Sequence, residues 1–280
     1  MRFTKVHSLG NDFIVIDPEE NAGIVDIPGL ARRLCDRHVG VGADGLLLIS
    51  VKDRERGLVH VRIFNADGSE PEISGNGLRC AAAHLFRQNK VTPPDVTFLT
   101  SIGDRLCNLL EVQNNRFQIR IEMGRPQLTS KDIPFDDGAF HEKIIDYPLS
   151  IHRKIYPVTV VSLGNPHCAV FYDRFPARIE WHEIGREIEY HPFFPNRINV
   201  EFVRVLSRRE IEVLFWERGV GETLSSGSCS SAAAVASILK GLTDRKVTVK
   251  TFLGQVIVEW EKDKVYQSGP AEIVFDGVLL

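Results

Sequence analysis

The chain has 280 residues, 43% of them hydrophobic and 25% charged, and its formal net charge at pH 7 is -3. This composition is that of an ordinary globular protein and excludes a disordered or fibrous one. The slight acidic excess leaves no basic surplus for phosphate backbones, so we expect no nucleic acid partner. No apolar run approaches the roughly 20 residues that span a bilayer, and the first residues do not resemble a signal peptide. We therefore expect a cytoplasmic protein without a membrane partner.

The predicted elements are mainly short strands with few helices between them. Runs rich in β-branched and aromatic residues predict strands, in chain order, at 12–17, 59–64, 117–123, 158–161, 212–216 and 255–261. Helical patterns follow the same order at 28–36, where a proline occupies the first turn, and then at 76–88 and 228–239. These patterns indicate an α+β fold whose sheets are largely antiparallel.

The cysteines show neither a disulfide framework nor a metal site. There are five, an odd number that favours a reduced compartment, and they occur at 35, 80, 107, 168 and 229. None forms a CxxC pair or another spacing typical of zinc ligands, so we expect no metal. Four are expected to be buried structural thiols, whereas Cys229, near a predicted helix start, is an open candidate for a reactive group.

Two segments of the first half of the chain recur in the second half, in the same order. Ser8–Asn11 recurs as Ser162–Asn165 at an offset of 154 residues. Ser74-Gly75, which opens an alanine-rich helix, recurs as Ser226-Gly227 at an offset of 152 residues. Two matches in one order at nearly one offset predict a duplicated domain.

The spacing upstream of each repeated serine agrees with this interpretation. Asn65 lies nine residues before Ser74, and Glu217 lies nine residues before Ser226. We therefore predict two similar domains related by a pseudo-twofold axis, each a mostly antiparallel sheet curled around a central helix. The predicted domains are residues 1–127 and 128–267, with residues 268–280 returning to the first domain. Their two sites are expected to face each other across one cleft.

The repeated serines each precede a helix in a glycine-rich turn, which is a favourable place to bind a carboxylate. A helix N-terminus presents unpaired N–H groups and roughly half a positive charge. Removal of an amino acid's α-proton builds negative charge on its carboxylate, and such fixed dipoles stabilise that charge without a pyridoxal cofactor. Acid/base groups on opposite faces of the α-carbon then invert the centre.

A purely structural interpretation competes with this one. Serine is a preferred N-cap, so either Ser74 or Ser226 alone is readily explained as a capping residue. A lone His167 or a Glu217-Arg218 pair is more often a hydrogen-bonded structural group than a catalytic one. The paired occurrence within a repeat favours the functional interpretation, in which His167 and Glu217 orient and activate two acid/base positions.

Seven segments carry a family resemblance. They are Leu9–Phe13, Asn65–Glu70, Gly75–Cys80, Gly164–His167, Arg197–Val200, Glu217–Thr223 and Gly269–Ala271. In this order they resemble the signature blocks of the diaminopimelate epimerases, from residue 3 to residue 277. The resemblance implies a cofactor-independent isomerase that interconverts LL- and meso-diaminopimelate in lysine and peptidoglycan biosynthesis. The substrate is then the expected partner, and a homodimer is one assembly that the resemblance leaves open.

The resemblance also implies a role for each matched position. Ser74 and Ser226 stand at the two catalytic positions, with His167 and Glu217 supporting them. The distal groups of the substrate are assigned to Asn11, Asn65, Asn165, Asn199 and Arg218. The reacting carboxylate is assigned to Gly75, Asn76, Gly227 and Ser228, and Glu217 is counted among the substrate-binding residues as well.

The chain departs from the family pattern at four positions. Ser74 and Ser226 stand where the family carries its catalytic cysteines, Cys229 stands where a glycine is usual, and Gly45 offers no side chain where some relatives place a polar contact. A thiol near pKa 8.5 is far easier to deprotonate than a serine hydroxyl, so the two serines are expected to impair α-proton transfer.

Three functions remain open on the sequence alone. The first is diaminopimelate epimerase activity, in a natural or an engineered serine form. The second is a related isomerisation or dehydration of an amino acid, in which His167 or Glu217 is the base. The third is a non-catalytic protein that keeps the amino-acid-binding site.

Overall fold

The computed structural model describes residues 1–21, 23, 25–71, 73–92, 94–101 and 103–279. The chain forms two compact units, Met1–Glu122 with Ser268–Leu280 and Met123–Gln267. Within the described ranges, no helix is both long and apolar enough to cross a membrane.

The first unit contains two helices and strands that close into a ring. The helices are α1 (Ile27–Cys35) and α2 (Gly75–Arg87). The strands are β1 (Arg2–Ser8), β2 (Asn11–Ile16), β3 (Gly45–Asp53), β4 (Leu58–Asn65), β5 (Asp95–Leu99), β6 (Arg105–Gln113), β7 (Arg116–Gly124) and β16 (Lys264–Val278). They are hydrogen-bonded in chain order, β16 follows β7, and β16 also pairs antiparallel with β1. The last strand of the chain therefore completes the sheet of the first unit.

The second unit contains the remaining elements. The helices are α3 (Arg178–Glu189) and α4 (Gly227–Leu239). The strands are β8 (Ile144–Ile151), β9 (Lys154–Ser162), β10 (Pro166–Phe171), β11 (Asn199–Ser207), β12 (Glu210–Glu217), β13 (Gly221–Thr223), β14 (Lys246–Thr251) and β15 (Gly254–Glu261). The sheet order is β8-β9-β10-β11-β12-β14-β15-β16, and β13 pairs with β12.

Most strand pairs are antiparallel, as the sequence predicts, but each unit also has two parallel pairs. In the first unit β2 pairs parallel with β3, and β4 with β5. In the second unit β10 pairs parallel with β11, and β12 with β14. Each parallel pair is joined through a helix, because parallel neighbours need a crossover connection of a dozen or more residues.

The second helix of each unit, α2 or α4, is buried on nearly all sides. In α2 every residue from Gly75 to Leu85 is buried, and the helix contacts β1, β2, β3 and β6. In α4 all but three of the 13 residues are buried, and the helix contacts β9, β10, β11, β12, β14 and β15. Cys80–Ala83 and Ala232–Ala234 supply small side chains that allow this close approach to strands.

The other two helices pack by amphipathic faces. On α1, Leu30 and Leu34 pack into a cluster with buried residues of the strands, such as Ile14 and Leu46. On α3, Trp181, Ile184 and Ile188 recur at helical spacing and join the core of the second unit.

The six predicted strands and three predicted helices are all confirmed, while α3 was not predicted. Helix α1 has the expected start signals, because the side chain of Asp26 accepts a hydrogen bond from Gly29 N and a proline follows. Helix α3 follows Ala177, which makes no side-chain capping bond. The start of α3 therefore carries little local signal.

Candidate active site

The predicted site residues fall into two groups, one in each unit. The first unit holds Asn11, Asn65, Ser74, Gly75 and Asn76. The second unit holds Asn165, His167, Asn199, Glu217, Arg218, Ser226, Gly227 and Ser228. Within these groups, Asn11 contacts Asn76 at the start of α2, and Glu217 contacts Ser226 at the start of α4.

Asn11 links the first repeated loop to the start of α2. Ser8 pairs with Asn11, and the two residues between them have positive φ, 50° at Leu9 and 78° at Gly10. Glycine adopts this conformation without a steric penalty, which explains its place in the turn. The Oδ1 atom of Asn11 accepts a hydrogen bond of 3.1 Å from Asn76 Nδ2. Asn11 therefore holds the first turn of α2.

Ser74 is the N-cap of α2. Its Oγ accepts a hydrogen bond of 3.0 Å from Gly77 N, and its backbone is extended, as is usual for a capping residue. Asn76 is almost fully buried beside it and accepts a hydrogen bond from Arg79. The capping interpretation of this serine is thus confirmed in geometry.

Asn65 and Gly45 lie in one row of the first unit's sheet. Gly45 pairs with Asn65 on β4 and with Phe13 on β2. A Cβ at Gly45 would lie 2.7 Å from the carbonyl oxygen of Phe64 and 2.9 Å from Cε1 of Phe13. No side chain fits there unless its neighbours move. Asn65 is exposed, and its Nδ2 donates to Ser69 Oγ at 2.9 Å.

Ser226 occupies the corresponding position of α4 but does not cap the helix. Its side chain makes no capping hydrogen bond. Instead its Oγ donates to Glu217 Oε2 at 3.0 Å, and Thr223 Oγ1 donates to Glu217 Oε1 at 2.5 Å. Burial raises the pKa of Glu217 and is opposed by these two donors. The two repeated serines therefore differ in what they contact.

His167 is fully buried on β10 with both ring nitrogens in hydrogen bonds. Its Nδ1 lies 2.6 Å from Glu201 Oε1, and its Nε2 lies 2.8 Å from Asn165 Oδ1. The parallel register pairs His167 with Asn199 and Ala169 with Glu201. Because side chains two apart on a strand share one face, Asn199 and Glu201 point to the side of the sheet that His167 faces.

Glu201 is not among the residues that the sequence predicts for the site. The sequence signal that could have indicated a role for Glu201 is its position as an acidic residue within the otherwise apolar run from Val200 to Val203 of β11. Such a residue is rarely fully buried unless it is paired.

Asn199 supports the turn that carries Arg218. Its Nδ2 donates to the carbonyl oxygen of Pro166 at 2.9 Å, and its Oδ1 accepts from Arg218 N at 3.0 Å. The guanidinium of Arg218 donates to Asn196 O at 3.2 Å. With its side chain almost fully buried, Asn199 joins β10 to the turn after β12. Its assignment as a substrate contact stays a prediction.

The start of α4 also holds Gly227 and Ser228. The carbonyl oxygen of Gly227 accepts hydrogen bonds from Ser231 Oγ at 3.0 Å and from Gln267 Nε2 at 2.7 Å. Ser228 is partly exposed in the first turn, whereas Gly227 is buried. The first turn of α4 is therefore held by hydrogen bonds to the buried Gly227, while Ser228 is accessible to solvent.

Cys229 is fully buried, one turn into α4. Burial raises the pKa of this thiol well above its ordinary value, and the negative charges of Glu201 and Glu217 add to the effect. A thiol of this kind stays protonated at neutral pH and does not reach solvent. The structure thus argues against Cys229 as a displaced acid/base group.

One cluster within the described ranges, His167 with Glu201 and Cys229, has donor atoms close enough to hold a metal ion, all within 4.8 Å of one another. Metal binding requires a deprotonated thiol and a free imidazole nitrogen. The raised pKa of Cys229 and the 2.6 Å hydrogen bond from His167 to Glu201 oppose both conditions. We therefore interpret the cluster as a hydrogen-bonded one.

A charged network next to the first repeated loop was also missed. Asp12 contacts Lys5 Nζ at 2.5 Å and Arg37 Nη2 at 2.7 Å, and Arg37 also binds Asp44 at 2.8 Å. The pKa of Asp12 is about 2, because hydrogen bonds from Arg37 and Lys5 outweigh the opposing effect of burial. Asp44 in turn accepts a hydrogen bond of 2.9 Å from Asn11. The network holds the loop that positions α2.

The first unit also has a cavity of about 390 Å³, lined among others by Arg2, Thr4, His84 and Lys90. His84 and Lys90 lie at and beyond the last turn of α2, so the cavity is at the opposite end of this helix from Ser74. None of the predicted site residues is among the described residues that line it. The volume of this cavity alone does not identify it as the active site.

Comparisons with known proteins identify relatives over the whole chain. The family model described as Diaminopimelate epimerase matches residues 3–129 and 159–274. A protein named diaminopimelate epimerase from Pelotomaculum thermopropionicum is 43% identical over 99% of this chain and 98% of its own length. One of the same name from Nostoc punctiforme is 41% identical over 100% of this chain and 99% of its own.

Solved structures of other enzymes share the fold. A probable proline racemase from Agrobacterium radiobacter, with bound carbonate, aligns with a TM-score of 0.71 at 14% identity, over 100% of this chain and 92% of that one. A hydroxyproline epimerase from Agrobacterium vitis aligns with a TM-score of 0.70 at 14% identity, over 99% of this chain and 90% of that one. At these identities the likeness bears on the fold alone.

Proposed function

Because this chain belongs to the diaminopimelate epimerase family, a family of isomerases, we propose that it interconverts LL- and meso-diaminopimelate by proton transfer at the α-carbon. The observation that carries the proposal is the start of α4. There Ser226 contacts a carboxyl group, Glu217, whose pKa is raised, instead of capping its helix.

Glu217 is suited to act as the acid/base group behind Ser226. A general base works best when its pKa lies near the operating pH, and burial moves the pKa of Glu217 in that direction. The hydroxyl of Ser226 lies 3.0 Å from Glu217, so a proton from the α-carbon passes through this hydroxyl to the carboxylate. Thr223 stabilises the carboxylate between transfers through its 2.5 Å hydrogen bond.

The helix starts supply the charge stabilisation for the same step. In the second unit the backbone N–H groups at Gly227 and Ser228 begin a 13-residue helix, whose positive end favours the substrate carboxylate. In the first unit Gly75 and Asn76 begin α2 in the same way. The sequence repeat assigns Ser74 the role that Ser226 has, with His167 as a supporting group. No cofactor enters this chemistry.

The distal end of the substrate is assigned to asparagines and one arginine. Diaminopimelate carries a second amino acid group, which needs a cation for its carboxylate and oxygens for its ammonium. Arg218 supplies the cation, and Asn11, Asn65 and Asn165 supply amide oxygens. Asn199 contributes through the turn that it holds.

The proposal includes a duplicated domain, with the division at residues 127 and 267 that the repeat suggests. The strand order within each unit supports it, because β2-α1-β3 and β4-α2-β5 have their counterparts in β10-α3-β11 and β12-α4-β14. Phe13 in the first unit and His167 in the second begin equivalent rows of the sheet.

Deuterium incorporation at the α-carbon tests the function directly. LL- and meso-diaminopimelate are incubated with the protein in heavy water, and exchange is followed by NMR. We expect exchange from both isomers, and a loss of at least about 100-fold on Glu217→Gln, the lower range for a general acid/base group. The matched control is Glu210→Gln, at the other end of β12, where Glu210 forms a 2.8 Å ion pair with Lys250.

The outcome separates the proposal from its competitors. Absence of exchange with either isomer, while calorimetry still detects their binding and Arg218→Ala abolishes it, would make the protein a binding homologue. Equal exchange in the Glu217→Gln variant and the parent would remove Glu217 from the mechanism.

A further inference from the structure

Glu189, the last residue of α3, is a buried carboxylate that binds the turn after β12. Only 3% of the residue is exposed. Its Oε2 accepts a hydrogen bond of 2.8 Å from Trp216 Nε1, and its Oε1 accepts one of 2.8 Å from Gly219 N. These two donors stand on either side of the Glu217-Arg218 pair in the chain. The carboxylate therefore brackets two residues to which the proposed function gives roles.

The end of α3 is an unfavourable position for a carboxylate that contributes to stability alone. The C-terminal end of a helix carries a partial negative charge, which favours cations and disfavours anions. The cation of Arg197 approaches Oε1 of Glu189 only to 4.0 Å, and its side chain is 51% exposed. The close contacts of Glu189 are thus with two neutral N–H donors on β12 and its turn. A carboxylate at this place points to what those donors hold.

The turn after β12 is bound through two successive backbone N–H groups. Arg218 N donates to Asn199 Oδ1 at 3.0 Å, and Gly219 N donates to Glu189. Gly219 is exposed and has a φ of 76°, a conformation that glycine adopts without strain. Hydrogen bonds to an ionised carboxylate are stronger than those between neutral groups. Two buried side chains therefore fix the backbone of an otherwise exposed turn.

The corresponding turn of the first unit is held differently. At the offset of 152 residues that relates the two serines, Ala66 corresponds to Arg218 and Asp67 to Gly219. Helix α1 contacts this turn through Arg32, whose guanidinium donates to the carbonyl oxygen of Asp67 at 3.3 Å. The nine residues of α1 include no acidic side chain. The buried carboxylate therefore belongs to the unit whose turn carries an arginine.

We propose that Glu189 is a positioning residue that fixes the turn of Arg218 and thereby directs its guanidinium to the distal carboxylate of the substrate. The proposal rests on the proposed function, which assigns that carboxylate to Arg218. A long side chain is placed accurately only when its backbone and its own contacts are held, and such preorganisation lowers the cost of binding. The Arg218 guanidinium donates to Asn196 O at 3.2 Å, and Glu189 holds the backbone beside it.

The first test uses Glu189→Gln, which keeps the shape of the side chain. Glutamine has one acceptor oxygen, so either Trp216 Nε1 or Gly219 N loses its acceptor and faces an NH₂ group. We expect the dissociation constants of LL- and meso-diaminopimelate, measured by calorimetry, to rise at least tenfold. The α-proton exchange rate at saturating substrate should stay within threefold of the parent, because Glu217 keeps its bonds from Thr223 and Ser226.

Lysine is the matched ligand, because it is diaminopimelate without the second carboxyl group. Its binding is followed by NMR shifts of ¹⁵N-labelled backbone amides at millimolar concentrations. For Glu189→Gln we expect the dissociation constant of lysine to change less than twofold, since the group assigned to Arg218 is missing from this ligand. A purely structural residue would weaken the binding of both ligands alike.

The hydrogen bonds of Glu189 have a spectroscopic readout of their own. The chain has three tryptophans, and the indole N–H signal of Trp216 is assigned by its loss in Trp216→Phe. We expect this signal and the Gly219 amide signal to lie downfield in the parent, and at least one of them to move upfield in Glu189→Gln. The control is Glu187→Gln on the same helix, whose side chain is 47% exposed and lies 3.6 Å from His152 Nε2. It should match the parent in every measurement.

The results decide the proposal in each case. Binding of diaminopimelate that weakens less than threefold in Glu189→Gln, or weakens equally with that of lysine, would overturn it. So would a loss in the exchange rate at saturation with unchanged affinity, which would place the effect on Glu217. If Glu189→Gln does not fold, Glu189→Asp decides, because its carboxylate is withdrawn by one bond, about 1.5 Å, and cannot reach both donors.

For Glu189→Asp we expect binding of diaminopimelate to weaken at least threefold, with lysine unchanged, and a change of less than twofold for diaminopimelate would overturn the proposal. If the parent binds neither isomer of diaminopimelate, the proposed function and this proposal fail together. If the parent binds and exchanges both isomers while the Glu189 variants match it, only the role of Glu189 is refuted.

Discussion

Asp12 provides a prediction whose size follows from the structure. The perturbation is Asp12→Asn, which keeps the shape of the side chain and removes its charge. In the parent this carboxylate contacts Lys5 at 2.5 Å and Arg37 at 2.7 Å, and only 15% of its side chain is exposed. The variant leaves the almost fully buried Lys5 without its anionic partner.

The magnitude comes from the pKa of Asp12, about 2 in the folded protein against an ordinary value of 3.8. A difference of about 1.8 pKa units corresponds to about 2.4 kcal/mol. Arg37 is 56% exposed and its share is partly screened by solvent and salt, so we expect about 2 kcal/mol at pH 7.

The sign of the pH dependence follows from the lowered pKa. A carboxyl group that is more acidic when folded stabilises the protein at pH values above its unfolded pKa. The contribution of Asp12 should therefore be complete at pH 7. It should decline as the pH falls below about 4 and be largely lost near pH 2.

The assay is urea denaturation followed by circular dichroism, for the parent and the variant, at several pH values between 7 and 3. Asp104→Asn, an exposed aspartate of the same unit, is the control and should match the parent. A free energy of unfolding that differs from the parent by less than about 0.5 kcal/mol at pH 7 would refute the reasoning, since surface substitutions fall in that range. So would a difference that does not shrink with acid.

The remaining predictions concern the helix starts. Ser74→Ala should lower the free energy of unfolding by about 1 kcal/mol in urea melts, because the cap on Gly77 N is lost. Ser226→Ala loses no cap but leaves an oxygen of Glu217 without its donor, so the α-proton exchange rate should fall; an unchanged rate would contradict the relay. Ser74→Cys combined with Ser226→Cys should raise exchange far more than either single change, as the thiols act as a unit; a double variant that binds substrate without exchange would remove both positions from the chemistry. Cys229 should resist iodoacetamide in the folded protein and react in urea, and alkylation of the folded protein at the denatured rate would contradict its burial.

Most helices and strands of the fold could be predicted because each is encoded by the residues of its own segment. A half-buried strand such as β12 alternates between buried and partly exposed residues along its length. Runs of alanine after a Ser-Gly pair indicate helices α2 and α4. Helix α3 was missed since its first turn follows Ala177, which lacks a capping side chain. The parallel pairs were missed as well, because strand direction is decided by the crossover and leaves no mark in the strand itself.

The repeat led to the two helix starts, but it could not distinguish their serines. Ser74 and Ser226 stand in similar glycine-rich turns, yet one caps its helix and the other donates to Glu217. The residues nine positions earlier differ as well, an amide at Asn65 and a carboxyl at Glu217, and Glu217 accepts the hydrogen bond from Ser226. The similar local sequences therefore predicted that both serines lie at helix starts. The hydrogen-bond partner of each serine is decided by the tertiary structure.

The sequence by itself determined the family and most of the strand and helix pattern, because these depend on residue type and on spacing along the chain. Only the tertiary structure decided which side chains form hydrogen bonds with one another. Glu201 meets His167 because β10 and β11 pair in a parallel register, across 34 positions of the chain. The pKa directions of Glu217 and Cys229 likewise follow from burial and from charges brought close in space. Burial and proximity are properties of the packed chain, and spacing along the sequence does not encode them locally.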